Sequence, residues 1–465
     1  MSKRIDRILP IQSILALALS LAATVQAQAQ AQDQATAADR SAIHVDALLQ
    51  NVLVLRNDGD FDRTDPIYND NGSSVGAVVT VFKPRLLWPI RANLRLTYEA
   101  EIGVNYWSRN SPDASLSRVD LGDANTPSPD ILMMKHKELY GEGTLQNDRL
   151  DFRVGYGHIA DPTGLFVNHW IGMGQVGWTF GGVHRLGLFA GQVPDQIYEG
   201  IDLAHNNFKR DTFVGGLTAD LQLSNDWKLS LALGSLYDSP APRRDRWLVA
   251  PTAQLEGLLG SVECSLGGLL QAGQFQGAAI DGQDQTLLAW AAQAHARWAR
   301  AGFSVDGNVL ALSPDDLYTG NGFEGAPLYS GKSGSATLIF TEDEIRDWND
   351  NLDERMSRFE GGFFLNRAGL LVVDVKGAYA FTERFSTALI VGLASTLKPE
   401  NSLGSGFGGV ETDVVLEYRI AQGLRATWVA TAVLPGQATS SLINRIDPSS
   451  TAMLWATEGS LSFIY

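Results

Sequence analysis

Ionisable side chains stand at alternate positions in several stretches of this chain. Within residues 93–107, Arg95, Glu99 and Glu101 alternate with apolar and aromatic residues. Because successive side chains of a β-strand point to opposite faces, each such set lies on one face of its strand. Acids and bases on a shared wet face can pair and can select ions by charge. The candidate residues of this kind are Arg95, Glu99, Glu101, Arg153, His295, Arg297, Asp374, Lys376, Glu411, Asp413, Glu417, Arg419 and Arg425.

Motifs of metal or phosphate chemistry do not accompany these residues. The chain has no His-Glu-x-x-His pair and no phosphate-binding glycine loop, and its seven histidines are scattered. The acidic stretch 58–70 lacks the Gly and the terminal Glu of an EF-hand loop, so a solvated loop is favoured over a calcium site. We therefore predict no catalytic residues, no metal and no cofactor, and we expect that the protein is not an enzyme.

The charged residues belong to strands whose other face is apolar throughout. An Arg or Lys facing lipid at the middle of a bilayer costs about 2–4 kcal/mol, so the charged face must line a wet interior. After the first 25 residues, no stretch reaches the roughly 20 consecutive apolar residues of a membrane helix. The pattern predicts strands at 44–57, 75–88, 93–107, 134–146, 150–160, 175–183, 185–193, 211–223, 227–237, 246–257, 261–273, 286–298, 302–313, 369–381, 385–396, 409–420, 424–435 and 452–465.

Short turns alternate with long polar connections between these strands, as in bacterial barrels with short periplasmic turns and long external loops. The fold class is therefore all-β: a transmembrane antiparallel up-and-down β-barrel of 18 strands. In the region 160–194 glycine blurs the alternation, and a miscount there would give 16 strands. Either number encloses an aqueous channel.

Both ends of the chain agree with export to an outer membrane. A basic start and an apolar run predict a signal peptide over residues 1–27, cleaved near Ala27 or Ala29, because the run is too short for a membrane anchor. Residues 28–43 would form a flexible leader, and residues 44–465 the barrel. The last strand ends on the aromatic Tyr465, which is typical of a strand read by the barrel-assembly machinery.

One connection, residues 313–368, is much longer than the others. Inside it, a capping-box pattern at 341–344 precedes apolar residues at helical spacing. We predict a short amphipathic helix in this extracellular loop. It would be either a constriction or lid over the interior or a surface loop packed on the rim. The candidate residues of this loop are Glu344, Ile345, Trp348, Leu352 and Met356.

The overall charge limits the classes of partner that the protein is expected to bind. The formal net charge of −16 argues against nucleic acid, which calls for basic patches. An acidic chain with external loops suits a surface of outer-membrane lipid and lipopolysaccharide. The single Cys264 excludes an intrachain disulfide.

Three stretches carry a family resemblance. They are Leu150–Asp161, Trp178–Arg185, and Glu411–Arg419 with the following Ala432–Gly436. The chain resembles the alginate-export-like outer-membrane porins, which are 18-stranded barrels. The resemblance implies that Arg153, Arg297, Arg419 and Arg425 are cations of the lumen. Family members line the pore with many arginines, whereas acids match or exceed bases here, which argues against export of a polyanion.

Two functions follow from this reasoning. The first is a channel in the outer membrane of a Gram-negative bacterium that passes small hydrophilic solutes or a saccharide chain by passive diffusion. The alternative is a non-conducting scaffold or adhesin barrel that presents its loops or encloses a partner.

Overall fold

The fold was analysed in a computed structural model of the chain. The structure describes residues 43–56, 75–91, 93–107, 131–145, 149–193, 212–238, 246–275, 284–315, 322–323, 329–330, 368–402, 404–438 and 453–465. Within them the chain is nearly all β-sheet, as the alternating sequence pattern predicts.

Twenty strands form a single sheet. In chain order they are β1 (His44–Arg56), β2 (Val75–Arg91), β3 (Leu94–Trp107), β4 (Ile131–Leu145), β5 (Leu150–Ala160), β6 (Val167–Phe180), β7 (His184–Val193), β8 (Thr212–Gln222), β9 (Trp227–Asp238), β10 (Arg246–Leu259), β11 (Val262–Phe275), β12 (Gln285–Arg300), β13 (Phe303–Leu312), β14 (Gly322–Phe323), β15 (Tyr329–Ser330), β16 (Leu370–Ala380), β17 (Phe385–Ser395), β18 (Phe407–Ala421), β19 (Leu424–Pro435) and β20 (Leu454–Ile464).

Eighteen of these strands close into an antiparallel up-and-down barrel. Each pairs with the next along the chain, β13 pairs with β16, and β20 returns to pair with β1. The closing pair runs from Leu48 opposite Ile464 to Arg56 opposite Ala456. The backbones of Ala47 and Tyr465 exchange two further hydrogen bonds of 3.2 and 2.9 Å. Closure leaves no free edge, which satisfies the backbone in a medium that offers no hydrogen bonds.

The two ends of the barrel differ in their connections. At the end that holds both barrel termini, which we call the short-turn end, successive strands are joined by a few residues. The turn from β12 to β13 has two residues, Ala301 and Gly302, with φ of 49° and 82°. Two left-handed residues in succession are what a tight type I′ hairpin turn requires. At the opposite, long-loop end, the connections are mostly long, as the sequence predicted.

The strand count of 18 is confirmed, but the predicted start of the sixth strand at residue 175 is wrong. Strand β6 begins eight residues earlier, at Val167, and pairs with β5 from Ala160 opposite Asn168 onward. Glycines 172 and 174 leave gaps in its apolar outer face, so the alternation is invisible in the sequence. Therefore β5 and β6 are joined by only six residues, 161–166, at the long-loop end.

The predicted helix of the long connection lies outside the described residues, as do Glu344, Ile345, Trp348, Leu352 and Met356. Two short pieces of that connection are described. Strand β14 runs parallel to β12, and β15 runs parallel to β6. The described part also contains a short 3-10 helix at Pro399–Ser402. Within the described residues, no helix is long and apolar enough to cross a membrane.

Candidate functional site: the barrel lumen

The outer face of the barrel is a continuous apolar surface. On strand β11, Leu266 and Leu270 point outward and are 61% and 59% exposed, and on β12 the neighbouring Trp290 is 40% exposed. Similar exposed aliphatic and aromatic side chains recur on nearly every barrel strand. A water-soluble protein rarely exposes so large an apolar area, whereas a lipid-facing barrel wall requires it.

The inner face carries the ionisable groups. On strand β18, the side chains of Glu411, Asp413 and Glu417 point inward. The side chains between them, Thr412, Val414 and Leu416, point outward, because successive side chains of a strand alternate between its two faces. Two open regions of the lumen, of ≈ 610 and ≈ 1090 Å³, are lined by such inward side chains.

Among the inward side chains that the structure describes on strands β2 to β7, bases outnumber acids. We call these bases the basic arc: Lys83, Arg85, Arg91, Arg95, Arg153 and Arg185. Among inward side chains that the structure describes on these strands, the acids are Glu99, Glu138, Glu142 and Asp151. The 610 Å³ region lies against this arc.

Glu142 holds two arginines of the basic arc together. Arg95 Nε donates to its Oε1 at 2.9 Å from one side, and Arg153 Nη2 donates to its Oε2 at 3.2 Å from the other. The Arg153 guanidinium also lies 4.6 Å from the centre of the Tyr140 ring, a cation–π distance. These contacts fix two positive groups on the wall in place.

Gly177 leaves the space for an ion pair between Arg185 and Asp151. Arg185 Nε on β7 donates to Asp151 Oδ2 on β5 at 3.2 Å, across the intervening strand β6. A β-carbon on Gly177 of β6 would lie 2.3 Å from Arg185 Nη2 and 2.5 Å from Asp151 Oδ2. The ion pair therefore occupies the space that any other residue at 177 would fill.

Further pairs of oppositely charged side chains lie in the half of the lumen nearer the short-turn end. Lys228 Nζ lies 3.3 Å from Asp220 Oδ1. His295 Nε2 and Arg297 Nε each lie 3.5 Å from Asp306 Oδ1.

A second sector, strands β13 to β20, is dominated by acids. We call these acids the acidic arc: Asp306, Asp374, Glu411, Asp413, Glu417 and Glu458. Its described inward bases are Lys376, Arg419 and Arg425, and Arg425 Nη1 lies 3.3 Å from Glu417 Oε2. The 1090 Å³ region lies against this sector.

Several members of the acidic arc are deeply buried. Asp374 is 1% exposed and accepts a 2.7 Å hydrogen bond from Asn308 Nδ2. Glu411 and Asp413 are fully buried, and Asp413 accepts a hydrogen bond from the Thr431 hydroxyl. A buried carboxylate is costly unless it is hydrogen-bonded, so this polar network is a specific feature of the wall.

The connection from β5 to β6 folds into the lumen, which the sequence did not predict. Asp161, 4% exposed, organises it. Its Oδ2 accepts hydrogen bonds from the Thr163 amide at 3.0 Å and hydroxyl at 2.5 Å, and its Oδ1 accepts from the amides of Phe166 and Val167 at 2.9 and 2.8 Å. We call residues 161–166 the inward turn. The Asp161 side chain thus satisfies two backbone N–H groups of this turn and that of Val167, the first residue of β6.

The inward turn reaches strands well around the wall. Gln293 Nε2 on β12 donates a 2.7 Å hydrogen bond to the Thr163 carbonyl oxygen. A β-carbon on Gly234 of β9 would lie 2.2 Å from Cε1 of the Phe166 ring, and one on Gly267 of β11 would lie 3.4 Å from Thr163 Cγ2. Gly234 therefore leaves the space that the Phe166 ring occupies, whereas Gly267 lies at ordinary contact distance from Thr163.

Apolar side chains also line part of the lumen, and the alternation of ionisable residues in the sequence does not predict them. They form one buried cluster with the inward turn on the long-loop half of the barrel. Examples are Ile171, Phe189, Leu248, Leu269, Leu287, Leu310, Val372 and Val433. Leu248 and Leu310 are 1% exposed, so they are covered rather than open to a wide water-filled bore.

Twelve of the thirteen sequence-predicted pore-lining residues have described side chains, and all twelve lie on the inner face. They are distributed between the sector β2 to β7, the sector β13 to β20 and strand β12. The side chain of Glu101 lies outside the description, although its backbone pairs with Lys135. The sequence did not predict which acidic side chain pairs with which basic one.

The described residues contain no group of three His, Cys, Asp or Glu side chains that could hold a metal ion. A Gly-x-Ser-x-Gly pattern, residues 72–76, is present in the sequence. It leads into strand β2, whereas a catalytic nucleophile elbow needs a turn from a strand into a helix.

Comparison with known proteins places the fold. No family model matches the chain, and no curated protein matches it in sequence. Solved structures do match. OccK9 (OpdG) of Pseudomonas aeruginosa has a TM-score of 0.56 at 12% identity, over 91% of this chain and 98% of that one.

Two other solved structures are also similar in fold. A BenF-like porin from Pseudomonas fluorescens Pf-5 has a TM-score of 0.56 at 10% identity, over 91% of this chain and 98% of that one. OccK8 (OprE) of Pseudomonas aeruginosa has 0.53 at 12%, over 90% and 98%. These likenesses show the barrel fold. They give no support to the alginate-export-like family in particular, so that part of the sequence resemblance is not upheld.

Proposed function

We propose that this protein is an outer-membrane channel of a Gram-negative bacterium that passes small hydrophilic solutes by passive diffusion. The observation that carries the proposal is the division of a closed 18-stranded barrel into an apolar outer face and an ionisable inner face. A barrel of this size has room for an aqueous interior. The similarity in fold to a protein named as a porin supports the same reading.

The inward turn limits the size of the solute. Because it occupies part of the lumen and its apolar side chains are covered by wall residues, the free passage is narrower than the barrel. A narrowed passage favours small solutes over the saccharide chain that the sequence left open.

The two charged arcs favour solutes that carry charge or a strong dipole. Bases exceed acids in one sector and acids exceed bases in the other, so an electric field crosses the lumen. Pore-lining charges of both signs attract opposite groups of one solute without strong selection for the net charge of a simple ion.

We further propose that the long connection 316–367 contributes a lid, with Glu344, Ile345, Trp348, Leu352 and Met356 on its helix. Two described contacts support this. The connection leaves β13 and returns to β16, yet its short strand β15 pairs with β6, seven barrel strands away from β13. The described pieces of the connection therefore extend from β12 to β6 at the long-loop end.

The remaining assignments complete the proposal. Residues 1–27 would direct export, the last strand would engage the barrel-assembly machinery, and the apolar outer face would contact lipid and lipopolysaccharide. The chain would not be an enzyme, in keeping with the porin-like fold. The alternative, a non-conducting scaffold or adhesin barrel, has no comparable support, because a solid barrel needs no separated charges in its interior.

The proposal is tested by planar-bilayer recording from the purified, folded protein. We expect stepwise ion currents, and a larger conductance after deletion of residues 316–367. A folded protein that gives no current, with or without those residues, would show that the barrel is not a channel.

A further inference from the structure

Near the short-turn end, the inner face of strands β17 to β20 and β1 carries a group of adjacent polar side chains. Residues that pair across neighbouring strands lie side by side on one face of the sheet. In one such row, Ser386 on β17 pairs with Glu417 on β18, and Glu417 pairs with Thr427 on β19. Thr427 in turn pairs with Ser460 on β20.

A second row of polar side chains lies beside the first, one step closer to the short-turn end. Here Arg425 on β19 pairs with Ser462 on β20, and Ser462 pairs with Gln50 on β1. The two rows form one continuous polar surface. Its uncharged members, four hydroxyls and one amide, we call the hydroxyl patch: Gln50, Ser386, Thr427, Ser460 and Ser462.

The hydroxyl patch is not used by the wall itself. None of its five side chains forms a hydrogen bond within the part of the chain that the structure describes. Inward hydroxyls elsewhere do: Ser230 Oγ donates to Asp220 Oδ1 at 2.6 Å, and the Thr431 hydroxyl donates to Asp413. All five members of the patch line the open region of ≈ 1090 Å³. Their donors and acceptors are therefore available to a molecule that enters this region.

The spacing of the patch suits a single sugar ring. Opposite residues on one face have Cβ atoms about 5 Å apart, and alternate residues of a strand lie about 7 Å apart. Hydroxyls both donate and accept hydrogen bonds, as the hydroxyls of a sugar do. Leu48 and Ile464, which pair with each other beside the patch, line the same region and can cover the C–H groups of a ring.

The charged side chains around the patch are balanced, although acids dominate the sector as a whole. Arg425 Nη1 lies 3.3 Å from Glu417 Oε2, so this pair offers donors and acceptors without a net charge. The nearest inward charges on β18 and β20 are one base, Arg419, and one acid, Glu458. Hydrogen bonding rather than net charge therefore selects what binds at this place.

We propose that the hydroxyl patch is a binding site for a neutral polyhydroxylated solute of the size of a monosaccharide. This inference rests on the proposed channel function and names a class of solute for it. A sugar that reaches the short-turn half of the lumen exchanges hydrogen bonds with water for hydrogen bonds with the patch. The exchange offsets the cost of removing water from the solute in the narrowed passage.

Binding is tested first without conduction, by saturation-transfer difference NMR of glucose with the folded protein in detergent micelles. We expect glucose signals from the wild type and none from 1,4-dioxane, a neutral six-membered ring that has no hydroxyl. Equal signals from both molecules would overturn the proposal, because the site would then recognise the ring and not its hydroxyls.

Variants that remove hydroxyls locate the site. The dissociation constant of glucose should rise about fivefold for each hydroxyl lost in Ser460→Ala and Ser462→Ala, the effect of one typical hydrogen bond. Ser460→Thr keeps the hydroxyl and should bind as the wild type does. The control is Ser265→Ala, an inward serine of β11 that does not line this region. Unchanged binding in the double variant Ser460→Ala with Ser462→Ala would refute the site.

Planar-bilayer recording separates the site from the channel function. Glucose should interrupt the ion current of the wild type, and the double variant should show fewer and shorter interruptions at an unchanged reversal potential. A conducting protein that neither binds glucose nor is interrupted by it would refute the site and leave the channel standing. If glucose binds and the serine variants weaken it, but no current flows, the site stands and the channel function fails.

Discussion

The side-chain amide of Gln293 on β12 donates a 2.7 Å hydrogen bond to the carbonyl oxygen of Thr163, which is 130 residues earlier in the chain. This bond joins the turn between β5 and β6 to a wall strand six positions further around the barrel. It shows that the lumen is not an open bore. The passage is bounded by a built structure on one side and by charged wall on the other, and the following predictions depend on that arrangement.

Glu142 pairs with two arginines, so its loss should favour anions. In Glu142→Gln, Arg95 and Arg153 lose their shared carboxylate. A unit charge about 10 Å away in water changes an ion's energy by about 0.4 kcal/mol, or about twofold in permeability. Reversal potentials in a salt gradient should therefore shift toward anions by about that factor. Glu383→Gln, on an exposed short turn, should leave the reversal potential unchanged.

Loss of Arg297 should shift the ion selectivity of the channel in the opposite direction, toward cations. It lies 3.5 Å from Asp306 and 4.0 Å from Glu263, so Arg297→Ala leaves two carboxylates without this cation. The same is expected of Arg419→Ala on β18. Reversal-potential measurements should show a shift toward cations in both variants. An unchanged potential would mean that these side chains do not contribute to the field of the lumen.

The assignment of faces can be tested by one substitution at two neighbouring positions. Leu266→Arg places a charge on the outer face of β11 and should lower the free energy of unfolding in lipid vesicles by about 2 kcal/mol. Ser265→Arg places the same charge on the inner face and should cost much less. Equal losses would contradict the orientation of this strand.

Asp161 should be the least replaceable residue of the inward turn. Asp161→Ala leaves buried N–H groups without an acceptor, which should destabilise the turn by about 2 kcal/mol or more. Limited proteolysis of the folded protein should then cut near residues 161–166. The control Asp226→Ala, on an exposed short turn, should remain resistant. A resistant Asp161→Ala would show that other contacts hold the turn.

The sequence was sufficient for the wall of the barrel but not for its interior. Strict alternation on β3 and β18 identified both the strands and the side on which their charges lie. It failed on β6, where glycines replace the apolar residues that mark a face. It also missed the lumenal role of Leu248, since an apolar inward residue is indistinguishable in sequence from a lipid-facing one.

The contacts of the inward turn were beyond prediction for a different reason. Asp161 and Phe166 look like ordinary loop residues, and Gln293 and Gly234 look like ordinary strand residues. Only closure of the barrel brings them together, because the strands that carry them are distant in the chain. The available signal was the sequence Asp-Pro-Thr-Gly at 161–164 directly after β5, because Asp, Pro and Gly favour a tight turn.

The central claim is that solutes cross the membrane through this barrel. Planar-bilayer recording of the purified protein, with neutral polyethylene glycols of increasing size added to both sides, tests it most directly. We expect stepwise currents that small polymers reduce and that larger ones leave unchanged. Folded, membrane-inserted protein that gives no current, even with residues 316–367 removed, would contradict it.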